Sequence, residues 1–370
     1  MKLTRIAQLG AVAAVAALAL TACASNEPSG GTNPGSSSDP ADPGTSLTGT
    51  LNATGASSQD AAQQAWVAAF QTANSGVTIN YQATGSGVGR DNFLSGGQSY
   101  IGSDRAFNDE EIAKGGFGSC ASDAIVEVPV YISPVAIIFN LDGVDSLNLD
   151  AATVAKIFNG DITNWNDPAI AADNGDVTLP DLAISPVHRS DPSGTSEIFT
   201  GYLEAVAPDA WPHEASDEWP ISSGEAAQGT SGVVAAVKGG NGTIGYADAS
   251  QAGDLGTIAV KVGDEFVPFS AEAAAALVDA SPLVEGRSAG DLVFDVDPAA
   301  APAGSYPIAL VSYLIACEKY EDANTAALVK SYFEFVTSAE GQDVASEAAG
   351  SAPLSDSLRD KINAAIALIG

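Results

Sequence analysis

The sequence predicts an α/β protein with open sheets, large enough to form two lobes. Short β-branched runs alternate with helical patterns from residue 47 to the end of the chain. The 370 residues, 45% of them hydrophobic, can bury a large core. Only 16% of the residues are charged and 38 are Gly, which favours a loop-rich secreted globular protein over a disordered acidic one.

The first 46 residues are predicted to lie outside the folded body. Residues 1–22 join two basic residues, a short apolar run and a Leu-Thr-Ala sequence that ends before Cys23. This segment resembles a bacterial lipoprotein signal, after whose cleavage Cys23 carries the lipid; an ordinary signal peptide or a short membrane anchor are the alternatives. Residues 23–46 are Ser, Gly, Pro, Asn and Asp with almost nothing apolar, which predicts a flexible tether.

The first third of the folded part contains strands and helices in alternation. Apolar residues at i, i+3, i+4 and i+7, such as Trp66 and Phe70, mark one helix, and the preceding Ser57 and Ser58 are candidate N-caps. The predicted elements are a strand over 47–55, a helix over 59–73, a strand over 77–83, a helix from about Val88, and a third short strand that ends in a polar turn within 99–112.

The remainder begins with a long β-branched stretch over 124–141, broken by Pro129 and Pro134, which we interpret as strands running between lobes. The later predicted elements are a helix and turn over 149–170, a strand over 182–190, a helix over 197–206, a strand over 242–250, one long strand or a strand pair over 305–320, and helices over 324–338 and 356–369.

Composition argues against several classes of function. A formal net charge of −32 disfavours nucleic acid and anionic membrane surfaces as partners. Two His and three Cys without a Cys-x-x-Cys spacing argue against a His/Cys metal site. In an extracytoplasmic protein with Cys23 lipidated, the remaining Cys120 and Cys317 indicate one disulfide, with two buried free thiols as the alternative.

Three predicted strand–turn–helix joints share small hydroxyl and Gly residues, at 55–58, 84–89 and 190–196. A helix N-terminus has unpaired N–H groups and the positive end of the helix dipole, so it binds oxyanions without cationic side chains. An acidic protein can therefore hold an anion in a dry cleft. Taken alone, each of these joints is usually an ordinary helix cap.

Two charged residues sharpen the anion hypothesis. Arg189 is one of 14 basic residues and precedes Ser193-Gly194-Thr195 by four positions. Its guanidinium could bind an oxyanion bidentately, or it could form an ion pair with Asp191. Asp104 would repel a bare anion and makes sense only if the anion carries a proton to donate to it.

Through a set of short motifs, the chain resembles a known family, the phosphate-binding lipoproteins of bacterial phosphate-specific ABC transporters (the PstS family). The matching motifs, in chain order, are Leu47-Thr48-Gly49, Asn80-Tyr81-Gln82 followed by Gly85-Ser86-Gly87, Gly102-Ser103-Asp104, Ile157-Phe158-Asn159-Gly160-Asp161-Ile162 with Trp165, residues 187–196, Gly242-Thr243-Ile244-Gly245-Tyr246, and Tyr306-Pro307-Ile308.

The resemblance implies a two-lobed periplasmic-binding-protein-like fold (type II), with a ligand cleft between lobes joined by hinge strands. Lobe I would comprise residues 47–140 and 305–370, and lobe II residues 141–304. It also implies a monomer, anchored to the membrane through Cys23, that binds inorganic phosphate outside the cell membrane and delivers it to permease subunits, without a cofactor. The alternatives are another oxyanion or a phosphorylated metabolite as ligand, a structural lipoprotein, and a phosphatase-like enzyme, for which no Gly-x-Ser-x-Gly elbow is present.

The family's binding roles map onto this sequence residue by residue. The implied roles are a hydroxyl from Ser57, a backbone N–H from Ser58, a donor at Ser86, a proton acceptor at Asp104, a charge pair from Arg189 steadied by Asp191, and donors at Ser193, Gly194 and Thr195. The sequence departs from the family at Ser57-Ser58, where Thr-Phe is common, and at Arg105, where a small residue is common. Arg105 could pair with Asp104 or add positive charge at the cleft rim.

Overall fold

Strands and helices alternate along residues 47–370, the part of the chain that a computed structural model of the protein describes. The strands are β1 (Gly49–Gly55), β2 (Val77–Gln82), β3 (Tyr100–Ser103), β4 (Ile125–Asn140), β5 (Ser146–Leu149), β6 (Ser185–Arg189), β7 (Glu225–Ala227), β8 (Thr243–Asp248), β9 (Gly256–Val262), β10 (Glu265–Val267) and β11 (Ala309–Cys317). The helices are α1 (Asp60–Ala73), α2 (Ser86–Leu94), α3 (Asp109–Lys114), α4 (Ala151–Asn159), α5 (Pro168–Asp173), α6 (Gly194–Val206), α7 (Gly229–Gly239), α8 (Ala271–Ala280), α9 (Ala323–Thr337), α10 (Ala339–Ala349) and α11 (Asp356–Ile366).

The predictions for the first 46 residues, namely the signal over 1–22, the lipidated Cys23 and the tether over 23–46, lie outside the described residues. In the described part of the chain, no helix has the length and apolar character needed to cross a bilayer.

The strands form two groups that share β4. Along the main path the strand order is β2-β1-β3-β11-β4-β8-β6-β7, and β9 joins β4 to β5 and β10. We call β1–β3, β11 and the adjoining part of β4 the first lobe, and β5–β10 with the remainder of β4 the second lobe. Residues 125–134 of β4 pair with β11, whereas residues 135–140 pair with β8. The mixed α/β fold is confirmed, and the lobe boundaries at 140/141 and 304/305 stay predictions.

The two prolines of β4 do not break the strand, contrary to the interpretation of several strands. Proline lacks a ladder donor, so it is tolerated where the pairing is irregular. Pro129 lies beside a register shift in the β4–β11 ladder, and Pro134 is the last residue of β4 that pairs with β11. Directly after it, the N–H of Val135 donates to the carbonyl of Ile308. Both prolines thus lie where the pairing of β4 changes, which allows one continuous 16-residue strand.

The predicted helical face of α1 is buried, and a disulfide closes the first lobe. Trp66 and Phe70 lie in the core, where Phe70 packs edge-on against Tyr332. Cys120 and Cys317 are bonded, with their Cα atoms 5.2 Å apart across 197 residues of chain, so the predicted disulfide is confirmed. It joins the end of β11 to the segment that follows α3.

Several element boundaries differ from the predictions for physical reasons. Helix α6 starts at Gly194 and α2 at Ser86, both earlier than predicted, because hydroxyl and Gly residues of the joints belong to the first helical turns. The helix predicted within 149–170 is two helices, since Gly160 ends α4 in a left-handed conformation and Pro168 starts α5. Helices α7, α8 and α10 were not predicted, because their small Ala and Gly residues give a weak apolar periodicity.

Candidate anion-binding site

The N-termini of four helices, α1, α2, α6 and α7, meet in the cleft between the lobes. The Oγ of Ser57, before α1, lies 3.0 Å from the Oγ1 of Thr230 in the first turn of α7. The N–H of Asp104 donates to the Oγ of Ser86 at the start of α2, at 3.1 Å. The Oγ1 of Thr195, in the first turn of α6, donates to Asp104 Oδ2 at 2.8 Å. The structure therefore brings the three predicted joints together around Asp104.

Asp104 accepts hydrogen bonds from three hydroxyl groups at the first-lobe side of this cleft. Its carboxylate is buried, and two hydroxyls, from Ser58 and Ser312, each donate to Oδ1 at 2.6 Å. Oδ2 accepts the hydroxyl of Thr195 from the opposite lobe. A carboxylate oxygen can accept more than one hydrogen bond, so Oδ2 can also take a proton carried by a ligand. The arrangement suits an anion that is itself a hydrogen-bond donor.

Arg189 is buried on the second-lobe side and held by Asp191. The Nε of Arg189 donates to Asp191 Oδ1 at 2.8 Å, and its Nη2 donates to Oδ2 of the same carboxylate. Burial alone would raise the pKa of Asp191, but the hydrogen bonds from Arg189 and from the N–H of Gly229 outweigh it, and the pKa is lowered. The ion pair weighed as an alternative is thus present. It uses two of the five guanidinium N–H donors and leaves the others for a ligand.

The start of α6 provides backbone donors beside this pair. Ser193 is the N-cap, and its Oγ accepts the N–H of Ser196, while its own N–H donates to the carbonyl of Asp217. The next two N–H groups, of Gly194 and Thr195, belong to the first helical turn, whose donors have no partner within the helix. They can serve an anion together with the Ser193 hydroxyl.

Two glycines let the elements approach closely enough to form the site. A Cβ at Gly194 would lie 2.7 Å from the Cβ of Asp104, so only Gly allows α6 to contact the end of β3. Gly85 adopts φ +102°, and a Cβ there would lie 2.4 Å from Asp191 Oδ2. The glycines of both joints are therefore steric requirements of the cleft.

Two sequence expectations are corrected. Ser57 and Ser58 do not cap α1; its N-cap is Gln59, which makes no side-chain cap hydrogen bond. Their hydroxyls are used instead by Thr230 and Asp104, across and within the cleft. Of the alternatives for Arg105, pairing with Asp104 is not observed: its guanidinium binds Glu111 bidentately, at 2.7 and 2.9 Å.

Three further residues of the site were missed. Thr230 also donates its N–H to Ser57 Oγ, and Gln59 donates to the hydroxyl of Ser312. The Gln-Gly-Thr-Ser sequence at the start of α7 repeats the signature of the other joints, but β7 has only three residues and gives no strand pattern. Ser312 could have been found as a lone hydroxyl in the fully buried strand β11. No group of three or more His, Cys, Asp or Glu side chains within residues 47–370 is arranged to hold a metal ion.

Comparison with known proteins places this cleft in a family. A family model described as PBP superfamily domain matches residues 40–340. The chain is 37% identical over 374 residues to phosphate-binding protein PstS 3 of Mycobacterium tuberculosis, an alignment that covers 99% of each chain. It is 34% identical over 375 residues to phosphate-binding protein PstS 2 of the same organism, again over 99% of each.

Solved structures show the same fold. A high-affinity periplasmic phosphate-binding protein, PfluDING, bound with phosphate, matches with a TM-score of 0.69 at 22% identity, over 85% of this chain and 93% of that one. A phosphate ABC transporter substrate-binding protein with bound phosphate from Clostridium perfringens matches with a TM-score of 0.57 at 20% identity, over 81% and 98% of the two chains. By its full-length similarity to the mycobacterial proteins, the chain belongs to the PstS family of phosphate-binding proteins within the PBP superfamily.

Proposed function

We propose that this protein binds inorganic phosphate outside the cell membrane and delivers it to the permease subunits of an ABC-type phosphate importer. The observation that carries the proposal is the joint burial of a carboxylate, Asp104, and a guanidinium, Arg189, where helix N-termini from both lobes meet. The similarity to proteins named for phosphate binding supports the same ligand.

The donors would come from both sides of the anion. On the first lobe they are the hydroxyl of Ser57, the N–H of Ser58 and the groups of Ser86; on the second lobe they are Arg189 and the start of α6 at Ser193, Gly194 and Thr195. Fixed donors of this kind bind an oxyanion without help from net charge. Because the two sets lie on different lobes, binding and lobe closure would occur together.

Selection of phosphate over sulfate would depend on Asp104. Near neutral pH phosphate keeps at least one proton, which the Asp104 carboxylate can accept in a charge-assisted hydrogen bond. Sulfate has no proton, so two acceptors would face each other in a buried site. Such a mismatch costs several kcal/mol, roughly a thousandfold or more in affinity.

The N-terminal sequence and the family support the cellular setting that we propose. Lipidation of Cys23 would anchor the protein to the outer face of the cell membrane, and the tether over 23–46 would let the folded body reach a permease. We infer a monomeric carrier that performs no chemistry on its ligand, needs no cofactor and binds no nucleic acid.

Calorimetric titration tests this function directly. The purified protein is first freed of bound ligand by partial unfolding and refolding, and then titrated with phosphate and, separately, with sulfate at neutral pH. We expect micromolar or tighter phosphate binding and no heat from sulfate. Equal binding of both anions would contradict the proposed selectivity, and binding of neither would overturn the proposed function. Turnover of a chromogenic phosphate ester would point to the enzyme alternative instead.

A further inference from the structure

A second group of charged side chains connects the lobes beside the anion site. It consists of Arg90, Arg105, Glu111, Glu197 and Asp217, which we call the closure cluster. The Nη2 of Arg90 lies 2.6 Å from Asp217 Oδ2, and the Nε of Arg105 lies 3.2 Å from Glu197 Oε2. Both arginines belong to the first-lobe segments α2 and β3–α3, whereas Glu197 and Asp217 belong to the second lobe. These two ion pairs therefore form across the cleft.

The cluster members that cross the cleft are attached to the elements that carry the anion site. Arg105 follows Asp104 directly, and Arg90 lies on α2, whose first residue is Ser86. Arg90 also donates from Nη1 to the hydroxyl of Ser103, the residue before Asp104.

The acidic members are attached in the same way on the other lobe. Glu197 is in the first turn of α6, and the carbonyl of Asp217 accepts the N–H of Ser193. A displacement of the cluster would thus displace binding groups on both lobes.

The arginines also offset negative charge that an anion would otherwise meet. Glu197 and Asp217 place two carboxylates next to the anion-binding start of α6. Burial raises the pKa of Glu197. The charge of Arg105 opposes this shift, and the charge of Asp217 adds to it. Without Arg90 and Arg105, both carboxylates would repel a bound phosphate at short range, where Coulomb energies are large.

A contact within the first lobe positions Arg105 for its ion pair with Glu197. Its bidentate pair with Glu111 lies within the first lobe and does not depend on lobe closure. Arg90 has only 4% of its side chain exposed, and burial and the neighbouring Arg105 lower its pKa, whereas Asp217 and Glu111 oppose that shift. The partners from the second lobe complete a site that is already formed.

We propose that the closure cluster is an electrostatic latch that sets the affinity for the bound anion by stabilising the closed lobes and screening Glu197 and Asp217 from the ligand. The second of these effects rests on the proposed function. Arg90 and Arg105 are positioning residues that need not touch the ligand. Glu197, Asp217 and Arg105 line an open groove of about 880 Å³, so salt can reach and weaken the latch.

A double-mutant cycle on phosphate affinity tests the latch. The variants are Arg105→Gln, Glu197→Gln and the two combined. We expect Arg105→Gln to weaken phosphate binding by about tenfold or more, because Glu197 is left uncompensated, and the second substitution to recover about fivefold of the loss. Additive effects of the two substitutions would overturn the proposal.

The matched control is Arg287→Gln. Arg287 is another partly buried arginine, with 11% of its side chain exposed, and its ion-pair partners Asp109, Glu127 and Asp291 belong neither to α6 nor to the closure cluster. Its substitution should lower stability but leave phosphate affinity within about twofold. A loss of affinity equal to that of Arg105→Gln would contradict the latch, because it would show a general effect of lost ion pairs.

Small-angle scattering of the ligand-free protein separates the latch from the proposed function. At low salt the wild type should be more compact than Arg105→Gln, and about 0.5 M salt should remove the difference because charges are screened within a few ångströms. Equal dimensions at low salt would overturn the latch even if phosphate binds. If phosphate does not bind, the proposed function fails, while the compaction result still decides whether the cluster holds the lobes together.

Discussion

The two faces of the cleft differ in their chemistry. The first lobe presents hydroxyls arranged around a carboxylate, Asp104, and the second presents a guanidinium, Arg189, beside the start of α6. The first face can test whether a ligand carries a proton, and the second can attract its charge. Under the proposed function, an anion would meet the proton acceptor and the guanidinium together only when both faces contact it.

Two buried acids, Asp191 in the cleft and Asp248 at the junction of the lobes, differ in their surroundings. Asp191 lies against Arg189 and the N–H of Gly229, which together lower its pKa in spite of burial. Asp248 is fully buried where β4 passes between the lobes, and burial raises its pKa to about 6 although Tyr131 and Ser250 donate to it. For Asp191 the donors from Arg189 and Gly229 outweigh burial, whereas for Asp248 the donors from Tyr131 and Ser250 do not.

The largest effect is expected when the second face loses its cation. Arg189→Met should reduce phosphate affinity by about a thousandfold or more, because it removes a charged donor to the ligand. It also leaves Asp191 buried without its partner, which should lower the free energy of unfolding by about 3–5 kcal/mol. Arg189→Lys keeps the positive charge but loses the planar guanidinium, so its phosphate affinity should fall between those of the wild type and Arg189→Met. Calorimetry decides; a loss below about tenfold for the Met variant would show that charge attraction does not depend on this face.

Removal of the disulfide tests whether the rigidity of the first lobe controls ligand binding. Cys120→Ser with Cys317→Ser should lower the free energy of unfolding by about 2–4 kcal/mol, because the unfolded chain regains the freedom of a long loop. The bond lies away from the cleft, so phosphate affinity should change by less than about threefold. Denaturant unfolding and calorimetry on the same samples check both statements, and a large affinity loss would indicate that first-lobe rigidity controls the site.

A smaller effect is expected from Asp248 at the junction of the lobes. Its folded-state pKa is raised above the unfolded value of about 3.9, so its contribution to stability is fully present below that value and is lost as pH rises through about 6. Asp248→Asn should therefore be more stable than wild type at pH 7, by about 1–3 kcal/mol, and the gain should vanish near pH 4. Unfolding curves at both pH values test this, and a gain that persists at pH 4 would contradict it.

Asp191 provides the opposite case for the same experiment. The pKa of Asp191 is lower in the folded state than in the unfolded state. Its ionised form therefore contributes stability at pH values above the unfolded-state pKa, and this stability is lost as pH falls through the folded-state pKa. Asp191→Asn should thus be destabilised at pH 7 and approach wild type in acid. If both variants showed the same pH trend, the difference between the two surroundings would not be real.

Much of the site could be predicted because it is built from local signals. Hydroxyl and Gly residues at strand–helix joints, together with Asp104 and Arg189, can be read from short stretches of sequence, and all lie in the cleft. The partners of Thr230 and Ser312 could not be predicted, since Ser57 and Asp104 are 173 and 208 residues away in the chain. Burial decided their roles, and burial depends on which strands become neighbours.

The fold shows the same limit. Alternating strands and helices indicated the class, and apolar spacing located α1, because these are local patterns. The use of β4 as one strand through Pro129 and Pro134 depends on pairing with β8 and β11, which periodicity does not reveal. Local chemistry was therefore more predictable than the contacts that join distant segments.

The most direct test of the account is the affinity for sulfate of Asp104→Asn compared with wild type. The amide keeps the shape of Asp104, and its oxygen can still accept the hydroxyls of Ser58 and Ser312. Its NH2 group, in the place of Oδ2, can donate to the oxygen of Thr195 and to an anion that carries no proton. We expect sulfate binding to become measurable and to strengthen by about a hundredfold or more, while phosphate loses its advantage. If Asp104→Asn still rejected sulfate as strongly as wild type, the first face would not select by the ligand's proton, and the division of tasks between the two faces would be wrong.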